Sequence, residues 1–325
     1  MRRSPVAVVA LAAVALTVAA CGGSGKSSSS SPASTGSSSS SGSGGAAGIL
    51  SAIDTKASTG PQKLTLDVNV DIKGAPTNQQ LALFTKQPIH LGVDGVVDSA
   101  GKSADVNVSV TLGNSPLAAE IRAGGGKSWI QIDGKWYDLP ANTLSSTTGT
   151  ALPAGVSTSN LDAGKILAAI GDPSKLLDNA SVSSDKVEGI DSDKVSGDVN
   201  IDGVAAAAAN LSKSLGNSTA TAPTQAQIDK TAAELKKVVN KAHVDLWVGK
   251  SDHKVHRVAF TLDAAMDDAT KKSSGIDSAV VTFDVTTVDA SAPDVSAPSS
   301  VGTPAEFQAA LVGLLGKVMG GAAGG

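Results

Sequence analysis

The feature that most restricts what this chain can fold into is an alternation of apolar and polar residues with a period of two, repeated along most of its length. Leu64, Leu66, Val68, Val70 and Ile72 alternate with Thr65, Asp67, Asn69 and Asp71. Successive side chains on a strand point to opposite faces, so such a run has one face to bury and one to wet. The rhythm returns at Ile89, Leu91 and Val93, at Ala104 through Leu112, and at Leu117 to Ala123, Trp129 to Ile132 and Lys135 to Leu139. It resumes at Val182 to Val187, Lys194 to Ile201, Val244 to Val248, Val258 to Leu262 and Ala279 to Val285. Turn residues such as Gly124-Gly125-Gly126 and Asp133-Gly134 separate many of these runs, and connections this short make neighbours antiparallel. The fold class expected is α+β: one large curved antiparallel sheet of roughly ten one-sided strands, a half-barrel whose apolar face is covered by helices.

The helices are read from a change of period and from end signals. Ala46 to Ala57 offers a short helix carrying Ile49, Leu50 and Ile53. Leu161 to Ile170 and Pro173 to Leu177 read as short helical pieces after a polar loop, Ala141 to Asn160. Asp202 is the expected N-cap of an Ala-rich helix reaching Leu215. After Pro223, Thr224 and Gln227 form a capping-box pair ahead of the stripe Ile228, Leu235, Val238 and Val239. Residues 290–303 read as a Pro/Ser linker, followed by a terminal amphipathic helix and Gly tail over 304–325 that begins at Thr303-Pro304-Ala305-Glu306. No boundary inside 46–289 divides that stretch into two domains.

Cys21 is the only cysteine of the 325 residues. Arg2 and Arg3 precede an uncharged apolar run, Val6 to Ala20, too short to span a bilayer, and small residues lead into the cysteine. Val18-Ala19-Ala20-Cys21 resembles the lipobox of bacterial lipoproteins. Residues 1–20 are therefore expected to be a lipoprotein signal peptide and Cys21 the acylated first residue of the mature chain. Two or three acyl chains make such an attachment durable, where one holds only marginally. Residues 21–45 are almost entirely Ser and Gly and read as a tether with an r.m.s. reach of roughly 30 Å.

Removal of residues 1–20 leaves 24 basic against 30 acidic side chains, with Arg122 and Arg257 the only arginines. This acidic balance argues against nucleic acid as a partner, and the lack of clustered guanidinium groups against bidentate phosphate reading. Without a second cysteine there is no intramolecular disulfide and no Cys-based zinc site, and no cofactor or metal is expected. The eight aromatic residues leave a core of Val, Ile, Leu and Ala.

At Val187-Glu188-Gly189-Ile190 and Lys194-Val195-Ser196-Gly197-Asp198-Val199 the chain resembles the LppX/LprAFG lipoproteins of actinobacteria, which have a LolA-like fold. The resemblance covers about 46–289. It extends in order through Gly134-Lys135-Trp136-Tyr137, Leu161-Asp162-Ala163-Gly164-Lys165-Ile166-Leu167, Val244-Asp245-Leu246-Trp247-Val248 and His256-Arg257-Val258. The stretch from Asp202 to Ala242 is longer than the family leads one to expect, and the helix after Thr303 looks like an addition. The resemblance implies a half-barrel enclosing an apolar cavity that carries acyl chains of lipids or glycolipids across the envelope. Implied partners are the lipid or glycolipid ligand, the extracytoplasmic face of the cell membrane through acylated Cys21, and an envelope transporter. The cavity would be lined by Leu66, Val68, Val70, Val106, Val108, Val110, Ile121, Ile132, Leu246 and Phe260. The alternative is that helices fill the concavity, these residues are ordinary core, and the protein is an interaction or sensor lipoprotein.

Other signals point to no chemistry. Gly124-Gly125-Gly126-Lys127-Ser128 looks like the end of a phosphate-binding loop, but Ile121 stands where that motif needs glycine, and a strand follows. It reads as a hairpin turn. His253 and His256 fall on opposite faces of any strand, with His256 on the side of Val258 and Phe260. Trp129, Trp136 and Trp247 read as packing residues. No G-x-S-x-G elbow occurs, so a hydrolase would need Ser, His and Asp to converge in a cleft.

Overall fold

The structure, a computed structural model, describes residues 45–54, 60–76, 82, 85, 87–98, 100–112, 115–139, 176–203 and 224–321. Expectations for Cys21 and its signal peptide, the tether, the loop 141–160, the helix 161–170, residues 204–215 and the tail 322–325 lie outside them.

The described strands form one open sheet of 11 antiparallel strands. In chain order they are β1 (Gln62–Gly74), β2 (Ile89–Asp98), β3 (Ser103–Leu112), β4 (Ser115–Gly124), β5 (Lys127–Ile132), β6 (Lys135–Asp138), β7 (Leu177–Val187), β8 (Ile190–Val199), β9 (Val239–Gly249), β10 (Val255–Ala265) and β11 (Ile276–Asp289). The spatial order is β6-β5-β4-β3-β2-β1-β11-β10-β9-β8-β7. Two meanders thus spread outward from the central pair β1 and β11, which are joined from Gln62↔Asp289 to Ile72↔Ala279. Three two-residue hairpins follow from local chemistry. Gly125-Gly126, Asp133-Gly134 and Glu188-Gly189 all hold φ between 49° and 86° at both central positions, the left-handed pair that glycine makes accessible. The Gly-Gly-Gly-Lys stretch is accordingly the β4–β5 turn.

The described helices are α1 (Ala46–Ser51), α2 (Gln225–Val238), α3 (Asp268–Ser274) and α4 (Pro304–Gly321). α2 starts with the expected capping box between Thr224 and Gln227. Its buried Ile228 and Ala232 pack on Ile201, and Val239, expected at the end of its stripe, already begins β9. The turn 201–203 is capped by Asn200, whose side chain accepts from the Gly203 N–H at 2.9 Å. Asp202 lies inside that turn and pairs with Lys236 at 2.5 Å. Leu177, expected at the end of a helical piece, begins β7 instead. α3 was not foreseen: the chain spends only seven residues on it, between the cap of Asp267 and a left-handed Gly275 at φ 72°. So short a segment shows no helical period.

Residues 290–303 form no named helix or strand and are pinned at both ends. The Ala290 N–H donates to Pro61 O at 3.0 Å, and the Gly302 N–H to Trp136 O at 2.7 Å on edge strand β6. α4 then begins against β6 and β4.

Candidate functional site

Registers across the sheet determine which side chains share a face. One transverse row runs Ile132, Ala119, Val108, Val93, Leu66, Val285, Val258, Leu246, Val195 and Val182, from β5 to β7. It is aliphatic on ten consecutive strands. A parallel row carries Leu117, Val110, Leu91, Val68, Phe283, Phe260 and Val244. Ile121 and Val106 pair on the same side, as do Val70, Ile89 and Val281. All ten residues chosen from the sequence therefore point to one face. Sequence reasoning did not put Val93, Val195, Val244, Val258, Phe283 and Val285 among them. The alternation marks them as apolar-face residues, but only the strand order places them in these rows.

Burial varies across this face. Ile132, Val195, Val244, Phe283 and Val285 are buried, at 9 % exposure or less. The other nine chosen residues are half-buried and none is exposed. At the β6 end the apolar row stops at Lys135, which faces Ile132 and pairs with Glu306 of α4 at 2.5 Å. Tyr137, on the same side, packs against Phe307 with ring centroids 5.5 Å apart. α4 thus starts on the apolar face. The Lys135 ammonium, with the N–H and hydroxyl of Thr303, holds the Glu306 carboxyl down to about 2.

The opposite face is polar and densely paired. Trp247 lies between Lys194, 4.9 Å from its ring, and Arg257, at 4.5 Å, and its indole donates to Asp185 at 2.8 Å. That hydrogen bond, more than any other influence, keeps Asp185 below the usual carboxylate range. Arg257 also donates to Asp284 through Nε and Nη2, at 2.6 to 3.2 Å, which raises its own affinity for a proton. Arg122 repeats the arrangement over Trp136 at 4.7 Å, with Glu120 at 2.6 Å. Both arginines are therefore engaged within the sheet. All three tryptophans stand on this polar side, away from the apolar face. Two open recesses of about 600 and 450 Å³ lie here as well, the larger bordered by Thr65, Asp67, Asp94, Asn107, Glu120 and Gln131.

The structure also brings together a serine, a histidine and an aspartate. Ser196 Oγ is 3.0 Å from His243 Nε2, and Asp198 Oδ1 is 3.0 Å from His243 Nδ1. Acyl transfer needs in addition donors aimed at a developing oxyanion. Ser196 sits inside β8, whose backbone groups pair with β7 and β9 on either side. Its cross-strand partner on β9 is a carboxylate: burial pushes Asp245 up, but hydrogen bonds from Ser196 and Lys194 hold it below the usual range. A negative group beside the hydroxyl opposes the charge that nucleophilic attack would build. The cluster therefore acts as a cross-strand polar network. His256, expected on the cavity side, is buried at the β9–β10 turn, bonded to Asp252 at 3.1 Å and to Thr287 O at 3.3 Å.

No protein-family model matches the chain, and no curated protein matches it. The structure is similar to LprF from Mycobacterium bovis, with 15 % identity, 75 % of this chain and 90 % of that one covered, and a TM-score of 0.34. It is also similar to the lipoprotein LppX from Mycobacterium tuberculosis, with 13 % identity, coverage of 69 % and 84 %, and a TM-score of 0.27. Both names fall in the lipoprotein group that the sequence resembles.

Proposed function

We propose that the chain is a non-enzymatic envelope lipoprotein, cleaved after residue 20 and acylated at Cys21, that binds and carries lipid or glycolipid acyl chains against its apolar face. The observation that carries this reading is the unbroken aliphatic row across ten strands, in which Val108, Val93, Leu66, Val258 and Leu246 are only half-buried. An acyl chain needs apolar surface without shape-specific contacts, and each methylene moved out of water contributes ~0.8 kcal/mol. Leu66, Val68, Val70, Val106, Val108, Val110, Ile121, Ile132, Leu246 and Phe260 would supply that surface. Residues 46–289 form the binding domain in this reading, residues 21–45 hold it near the membrane, and an envelope transporter loads or unloads it.

Native mass spectrometry with organic extraction, on a Cys21→Ser chain secreted from an actinobacterial host, tests the reading. Stoichiometric co-purifying lipid supports it. A clean apo mass that also refuses added phospholipid sinks it. The recesses on the polar face favour a second reading, a sensor or interaction lipoprotein that meets an envelope protein through its charged rows.

A further inference from the structure

Among the described residues four large hydrophobic side chains are exposed, and three of them, Val301, Leu311 and Val312, lie on the C-terminal segment, with Val312 the most open at 69 %. Between Glu306 and Lys317 the sequence of α4 holds no ionisable residue, and Gln308 is its one polar side chain. A helix apolar on all sides belongs in a core or in lipid. Over its first ten residues, however, only Phe307 and Ala310 are even half-buried. Glu306 is paired with Lys135 and Thr303, and the stretch from Phe307 to Gly316 carries no charge for an aqueous partner. No helix of the described residues is long and apolar enough to cross a membrane, which leaves lying on one.

We propose that the outward side of α4, centred on Leu311 and Val312, docks onto the surface of a phospholipid bilayer. The proposal rests on the lipoprotein reading, because acylated Cys21 supplies the proximity. The 23 residues between Cys21 and Gly45 span at most about 80 Å, so a tethered domain meets the bilayer at high effective concentration. A weak apolar contact then suffices, and a chain of net acidic charge needs no electrostatic attraction to anionic lipid. Because α4 begins beside Lys135 and Tyr137, docking turns the β6 end of the apolar face toward the membrane, where acyl chains would enter or leave.

The test uses the acylated chain in phosphatidylcholine vesicles. With Cys21 acylated, Val312→Cys provides a unique thiol for an environment-sensitive dye, and Ser183→Cys, exposed on the polar face of edge strand β7, provides a reference. Docking predicts a blue-shifted Val312 probe, quenched at least twofold more by brominated acyl chains than the Ser183 probe. Equal, water-like behaviour of both probes overturns the proposal. So does a blue shift that appears without lipid and grows with protein concentration, since the occupant is then a second copy. Two dyes per chain instead of one reveal that Cys21 is not acylated, which removes the premise and is told apart from failed docking by that stoichiometry alone.

Discussion

Val108→Trp separates a lipid-bearing face from a filled one. Val108 stands in the middle of the aliphatic row, flanked by Val93 and Ala119, and is half-buried. Tryptophan adds seven heavy atoms to that position. If acyl chains occupy the face, the indole displaces roughly four or five methylenes, a loss of about 3–4 kcal/mol at ~0.8 kcal/mol each. Lipid affinity should then fall on the order of a few hundred-fold. The indole enters space that the protein itself does not fill, so the fold should lose little. If protein fills the face, the same substitution overpacks a core and costs about 1–3 kcal/mol of stability, or a Tm lower by roughly 2–4 °C per kcal/mol for a domain of this size. Lipid retention measured by native mass spectrometry, beside the Tm of the same sample, distinguishes the two. Retention unchanged within twofold together with a Tm lower by several degrees would refute the binding-face reasoning.

Glu306, held at about 2 against an ordinary 4.5, contributes stability that is complete above the ordinary range and lost as the pH falls through 2. A carboxyl NMR titration of Glu306 should therefore show its midpoint near the lower value, and Lys135→Ala should move it up toward the ordinary one. Gly134 holds φ at 79° with open space where a Cβ would sit, so Gly134→Ala should cost about 1 kcal/mol from the backbone alone while Gly134→Asn is tolerated better, as thermal melts of both will check. Arg257→Ala removes the stack on Trp247 and the fork on Asp284, both partly solvated, and should lower the denaturant midpoint by the equivalent of about 1–2 kcal/mol with lipid loading unchanged. Cys21→Ala should move the chain from the membrane fraction to the medium, read by immunoblot of fractionated cells.

The sheet was legible because period-two alternation is a local signal. The alternating stretches named from Leu64 to Val285 lie on strands, and Gly124-Gly125-Gly126 and Asp133-Gly134 announce their hairpins. Because a strand has only two faces, the ten residues chosen for the site could be assigned to one side without knowledge of strand order. Order itself was not legible. That β11 returns to the centre beside β1, so that Leu66 meets Val285, depends on long-range pairing that leaves no mark in either segment. The polar face was illegible for a related reason. Lys194 is far from Trp247 and Arg257 in sequence, and only the β8-β9-β10 register stacks the three. The run 290–303 looks like a linker by composition, since nothing in its Pro and Ser content tells of the two backbone hydrogen bonds that pin its ends.

The two faces divide the work of the sheet. All three tryptophans and both arginines of the described residues lie on the polar side, where cation–π stacks and forked ion pairs tie neighbouring strands together. Aromatic residues carry the largest packing contribution per side chain, and here two of the three tryptophans are buried away from the apolar face. A sheet braced from its polar side can leave its other face lined with small, flexible aliphatic groups that are only half-covered. Substitutions should then split by face: changes at Trp247 or Arg257 lower stability and leave lipid loading intact, whereas changes at Val108 or Val68 do the reverse. A protein whose apolar face were its only core could not show that separation, because every loss of loading there would come with a loss of fold.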